Sequence, residues 1–170
     1  MRKLFSNPIS RLQLITVIFF AIVYSLLSLV NHYNFRTYAF DLGLQNNALY
    51  DYAHLRFNDC MLLQPQLNNF LSVHFELLPV LLAPFSFVFG TYTLLVFQII
   101  FVLFGGFGVY KYIKEISNSE RISFLAQLHF YFFYGIFSAL SFDASWQEMF
   151  STWNAGGTLI LIPETLRRFR

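Results

Sequence analysis

Residues 77–110 read LLPVLLAPFSFVFGTYTLLVFQIIFVLFGGFGVY, 34 positions without one charged side chain. As a single helix this run would be about 51 Å long at ~1.5 Å per residue. A bilayer core takes about 20 helical residues, so two spans and a turn would need roughly 40. One span plus a shorter piece fits the length better. Pro79, Pro84 and Gly90 divide the run. The piece at 77–89 has 13 residues, the length of a re-entrant or interfacial segment. The piece at 91–110 is a full span.

Composition agrees with a membrane reading. Of 170 residues, 56% are hydrophobic and 12% charged, with 23 Phe and 10 Tyr. Soluble domains carry about a quarter charged residues. The net charge of +2 is too small to point to nucleic acid, so none is expected as a partner. Cys60 is the single cysteine, which excludes an internal disulfide, and it reads as a small buried apolar residue. Upstream, Arg2, Lys3 and Arg11 precede an uncharged run at 12–30, with no small-residue cleavage site after it. That run reads as a retained first span with its N-terminus in the cytoplasm.

Charge orients the rest. Lys111, Lys114 and Arg121 follow the span at 91–110, and Arg167, Arg168 and Arg170 lie at the end of the sequence. The positive-inside rule puts these clusters and the N-terminus on one side, provided that 77–89 dips into the bilayer without crossing. The expected fold is all-α, a multi-pass transmembrane protein of about four spans, near 12–30, 91–110, 122–141 and 149–165. An outer loop at 31–90 holds an amphipathic interfacial helix and the half-embedded segment at 77–89. The sequence GGFG at 105–108 lies within a span and reads as helix packing through small residues rather than as a phosphate loop. His129, in the third span, reads as a packed or hydrogen-bonded histidine more readily than as a proton relay.

This topology gathers Asp41, Asp51, His54, His74, Glu76, Asp143 and Glu148 on the outer face. From Asp41 onward, Leu44, Ala48, Tyr52 and Leu55 recur at helical spacing as an apolar stripe. Asn47, Asp51 and His54 fall on another face, and Asp41 is placed to cap the helix. One reading is a plain interfacial helix with a solvated polar face. The other is a site. Arg36 and Arg56 flank the helix on the outer side, against the positive-inside trend, and guanidinium groups there suit phosphate recognition. His74 and Glu76 stand at the mouth of the dipping segment. Asp143 and Glu148 stand at the exit of the third span. Asp51 and His54, at i and i+3, could share a metal, but a surface hydrogen bond explains them more simply. No cofactor is indicated; a divalent metal is compatible with the acids but has no ligand pattern.

The segments YAFDLGLQNNALY, HFELLPVLLAPFSFVFG and LSFDASWQE resemble, in order, the motifs of the membrane proteins called domain of unknown function 2079. The likeness covers roughly residues 12–150 and rests on Phe40-Asp41-Leu42-Gly43 and His74-Phe75. That family looks like the multi-pass GT-C glycosyltransferases, which transfer sugars from polyprenyl-phosphate donors on the outer membrane face. The resemblance implies a catalytic role for Asp41, with Asp143 as the later supporting acid. On a sugar-transfer reading of the outer-face residues, Arg36, Arg56, His74, Glu76 and Glu148 would bind substrate. The chain departs from the family pattern at Gln45, Asn46 and Asn47, where a second acid is common. It departs again in ASWQE, which lacks a His-Pro-Glu.

The resulting expectation is a single transmembrane domain over 1–170, the N-terminal portion of a glycosyltransferase-like enzyme in the prokaryotic plasma (inner) membrane. Its partners would be the lipid bilayer and a polyprenyl-phosphate-linked sugar. The rivals are a transporter or scaffold fragment, and an inactive truncated paralogue. A transporter would place its ionisable groups near the bilayer midplane, whereas most of the acids here fall at span ends.

Overall fold

The first helix turns most of its apolar side chains outward and buries a stripe of polar and aromatic ones, the reverse of a soluble protein. The computed structural model describes residues 8–36, 39–56 and 77–133, with backbone alone at 8, 10 and 39–41. Helix α1 (Pro8–Tyr33) opens on a proline, whose fixed φ suits a first helical position. Thr16, Phe20, Tyr24 and Ser28 recur at every fourth position and are buried. Ile15, Ile18, Phe19, Ile22 and Leu26 are exposed. Only 17% of its most apolar window is buried. In water such a face would be a large apolar patch. In lipid it is the solvated side, and the polar groups serve as contacts between helices.

Among the described residues all regular structure is helical, and two stretches are long and apolar enough to cross a membrane: Arg11–Tyr33 and Leu78–Ser117. The second stretch is not one rod. It runs through α3 (Leu78–Leu82), a 3-10 turn (Ala83–Phe85), α4 (Ser86–Phe89), a second 3-10 turn (Gly90–Tyr92) and α5 (Thr93–Ser117). Gly90, at φ 55° and ψ −133°, adopts a backbone conformation open to glycine at little cost. The chain folds back there. The rings of Phe85 and Phe97 lie 4.9 Å apart, whereas twelve residues of straight helix would separate them by about 18 Å. The segment expected at 77–89 is therefore a set of short helical turns packed beside the start of α5, and α5 alone is long enough to cross, at about 37 Å.

Helix α2 (Ala39–Ala53) rests on this fold-back. Leu42 and Leu49 pack with Leu82, Ala83, Leu94 and Leu95 in one buried cluster. Leu44 and Tyr52 pack around the buried Ala48 in a second. The expected stripe is corrected in two respects. Leu42 and Leu49 carry the burial because the fold-back covers their side of the helix. Leu55 is not on the helix: the chain leaves it after Ala53, and Leu55 stands 95% exposed in a left-handed conformation. Asp41 is the third residue of α2, not its N-cap, because the helix begins two residues earlier at Ala39.

Helices α1 and α5 run antiparallel. His32 meets Thr91 and Tyr92, while Phe20 and Tyr24 share a cluster with Ile99 and Val102. Helix α6 (Glu120–Tyr131) turns back along α5 through Asn118, a left-handed residue, and Ser119, whose hydroxyl accepts from the N–H of Ile122. The basic groups continue the helix instead of forming a loop. Lys111 lies over Phe107, and Lys114 lies over Tyr110 while bonding Glu120 at 2.9 Å. Arg11, Lys111, Lys114 and Arg121 thus share one end of the bundle.

The GGFG expectation holds. Gly105, Gly106 and Gly108 are buried, and a Cβ on Gly106 would overlap the Tyr131 ring. Helix α6 covers the first part of the expected third span and ends at Tyr131, level with the middle of α1, where Phe20 and Tyr24 meet the Tyr131 ring. His129, in its last turn, is exposed. The rest of that span and the fourth lie outside the described residues.

Candidate functional site

The fold-back and α2 enclose an open cleft of about 400 Å³. Asn46, Leu49 and Tyr50 of α2, with His54 just past its end, form one wall. Ser86, Phe87, Gly90 and Thr91 form the other. Both walls follow from local sequence: the turn at Gly90 brings Thr91 back to α2, and one helical turn separates Asn46 from Tyr50 and Tyr50 from His54.

The amide of Asn46 bridges the walls. Its Nδ2 donates to the Thr91 carbonyl at 3.2 Å, while its Oδ1 is buried without a hydrogen-bond partner among the described residues. A buried acceptor left unpaired costs about 1–3 kcal/mol, so this oxygen is suited to a donor group entering the cleft. The ring of His54 lies 4.2 Å from that of Tyr50 and 5.4 Å from that of Phe87, measured between centroids. Its Nδ1 is 2.8 Å from the Tyr50 carbonyl. A carbonyl can only accept, so Nδ1 carries the proton, and in the neutral ring Nε2 is the acceptor. The cleft therefore combines aromatic and aliphatic surface with a few hydrogen-bonding groups, the usual make-up of a small-ligand site. Among the described residues no group of three His, Cys, Asp or Glu could hold a metal.

The end of α1 closes the rim. His32 Nε2 is 3.3 Å from Thr91 Oγ1, and its ring meets Tyr92 edge-on at 4.7 Å. Asp41 lies on the same helix as Asn46, five positions earlier. Arg36 and Arg56 are exposed and occupy equivalent places just past α1 and α2. The N–H of Arg36 bonds the Asn31 carbonyl at 2.9 Å, and that of Arg56 bonds the Asp51 carbonyl at 2.8 Å. His74, Glu76, Asp143 and Glu148 lie outside the described residues. In the sequence Asn46 stands out only as the absence of an acid, and Thr91 carries no distinguishing pattern. Their role depends on the fold-back, which no local pattern announces.

The family described as Predicted membrane protein (DUF2079) matches residues 31–146, from the last turn of α1 through the whole cleft and α6. No curated protein and no solved structure matches the chain. With the match covering most of the sequence, the chain belongs to the membrane protein family of domain of unknown function 2079.

Proposed function

We propose that the protein is glycosyltransferase-like and takes sugar from a polyprenyl-phosphate donor at the outer membrane face, with the sugar seated in the cleft between α2 and the fold-back. The observation that carries this reading is the unpaired Asn46 Oδ1 in a cleft walled by Tyr50, His54 and Phe87. A sugar offers hydroxyl donors for the amide and C–H faces for the rings, and the exposed apolar residues around the fold-back suit a polyprenyl tail. Asp41 acts as general base and takes the acceptor hydroxyl's proton as that oxygen attacks the anomeric carbon. The bond from the anomeric carbon to the phosphate oxygen breaks, and the electron pair leaves with the phosphate. Arg36 or Arg56 offsets the charge gathering there. Asp143 completes the acidic site, and His74, Glu76 and Glu148 hold substrate. The end bearing Arg11, Lys111, Lys114 and Arg121 faces the cytoplasm of a prokaryotic plasma membrane.

The test is consumption of radiolabelled polyprenyl-phosphate sugars by the full chain in proteoliposomes. Wild-type protein should consume a donor and Asp41→Asn should not. Normal turnover by a normally expressed Asp41→Asn protein removes Asp41 from the role, and no turnover of any donor by wild type removes the reading.

A transporter is the second reading, favoured by the buried polar groups between α1, α5 and α6. Ser28 Oγ, Gln98 Oε1 and Gln127 Oε1 are buried there without hydrogen-bond partners among the described residues. Ion flux into liposomes without turnover of donor would select it.

A further inference from the structure

Helices α1 and α2 end in the same way, and in neither case with the residue that such an end prefers. In α1 the N–H of Phe35 bonds the His32 carbonyl and that of Arg36 bonds the Asn31 carbonyl. In α2 the N–H of Leu55 bonds the Tyr52 carbonyl and that of Arg56 bonds the Asp51 carbonyl. Both are Schellman caps, whose left-handed position is usually glycine and sometimes asparagine. Here Phe35 and Leu55 occupy it, each at φ 54° and each 95% exposed. A side chain with a Cβ makes this conformation costly, and a bare apolar group in water adds to the cost. An arginine follows in both cases. Two independent caps thus keep an unfavourable apolar residue and a cation side by side.

We propose that Phe35-Arg36 and Leu55-Arg56 are paired anchors to one bilayer leaflet, the apolar side chain entering the acyl boundary and the guanidinium gripping phospholipid phosphate. The length of α1 sets the depth. Its span Arg11–Tyr33 has 23 residues, about 34 Å, against a hydrocarbon core of about 30 Å. Tyr33, 73% exposed, then falls in the interfacial aromatic belt, and Phe35 and Arg36 follow at the headgroup level. The second cap belongs to the same end of the bundle. His54, next to Leu55, packs on Phe87, four residues before the Thr91 that His32 of α1 touches. Arginine suits the phosphate layer because its planar fork binds two phosphate oxygens at once and is less strongly hydrated than an ammonium. The pair would hold the floor of the cleft at the level where lipid phosphates lie. Only the leaflet is required, although the anchors draw on the two arginines, one of which the sugar-transfer reading gives to the donor phosphate.

The experiment places a nitroxide label at position 35 or 55 of the full chain, in a Cys60→Ser background, in nanodiscs of phosphatidylcholine and phosphatidylglycerol. Collision with oxygen, which partitions into lipid, and with a water-soluble nickel reagent then reports depth. Both labels are expected at the boundary between headgroups and acyl chains. Arg56→Gln should raise nickel access at position 55 about five-fold, the effect of losing one basic contact with an anionic leaflet, and Arg56→Lys should restore most of the protection. Bulk-water access at position 55 in the arginine protein, a label at either position deep in the acyl region, or no change in Arg56→Gln would overturn the proposal. Circular dichroism of each variant, matched to the parent, ties the change to the leaflet contact.

Discussion

Tyr24 and Tyr131, 107 positions apart, are joined by a hydrogen bond of 2.8 Å from the Tyr24 hydroxyl to the Tyr131 backbone carbonyl. The bond closes the end of α6 with a side chain from the middle of α1. The Tyr131 hydroxyl in turn donates to the Leu103 carbonyl at 2.8 Å and accepts from Gln127 Nε2 at 3.3 Å. One aromatic residue thereby ties three helices together. Tyr24→Phe keeps the ring and loses the cap, and should lower unfolding stability in detergent by about 1 kcal/mol, within the range of hydrogen bonds between membrane helices.

Gly106→Ala tests the closest approach in the bundle. The added methyl would overlap the Tyr131 ring, so α5 and α6 must separate, at a cost of about 1–3 kcal/mol. Combining it with Tyr131→Leu, which clears the space, should cost less than the sum of the two single changes. Strict additivity in that double-mutant cycle would disprove the contact.

Two other glycines should respond in opposite directions. A methyl on Gly90 or on Gly43 meets nothing within 4 Å, so only backbone conformation distinguishes them. Gly90→Ala should destabilise by about 2 kcal/mol, because its positive φ strains any other residue. It should also reduce cross-linking between cysteines placed at 85 and 97. Gly43→Ala, inside α2, should stabilise by about 0.5–1 kcal/mol.

Asn46→Ala separates the cleft from the fold. The Asn46–Thr91 bond is exposed, so its loss should cost under about 1 kcal/mol of stability. Turnover of a polyprenyl-phosphate sugar should fall about ten-fold, the worth of one hydrogen bond to the ligand. An unchanged rate with unchanged affinity would move the sugar elsewhere.

Membrane character was legible from the uncharged runs at 12–30 and 77–110, because lipid demands length and apolarity that composition displays directly. Pro79, Pro84 and Gly90 marked where the second run is divided. The end of α2 was not legible. Leu55 continues a helical period, and only the hydrogen bonds of Leu55 and Arg56 show that the helix has stopped. The buried polar positions were also hidden, since hydropathy averages Tyr24, Gln98 and Gln127 into apolar surroundings without revealing which face they take. Of the candidate site, Arg36, Arg56 and His54 could be nominated from residue type. Asn46 and Thr91 could not, because these residues, 45 positions apart, meet only through the reversal of chain direction at Gly90.

The reversal at Gly90 also fixes the parity of the chain. Because 78–89 returns along α5, the stretch Leu78–Ser117 counts as one traverse rather than two, and α1 with α5 makes an even number. Arg11 and Lys111 consequently lie at the same end of the bundle. A single residue with an unusual φ thus decides whether two basic groups a hundred positions apart meet at one end.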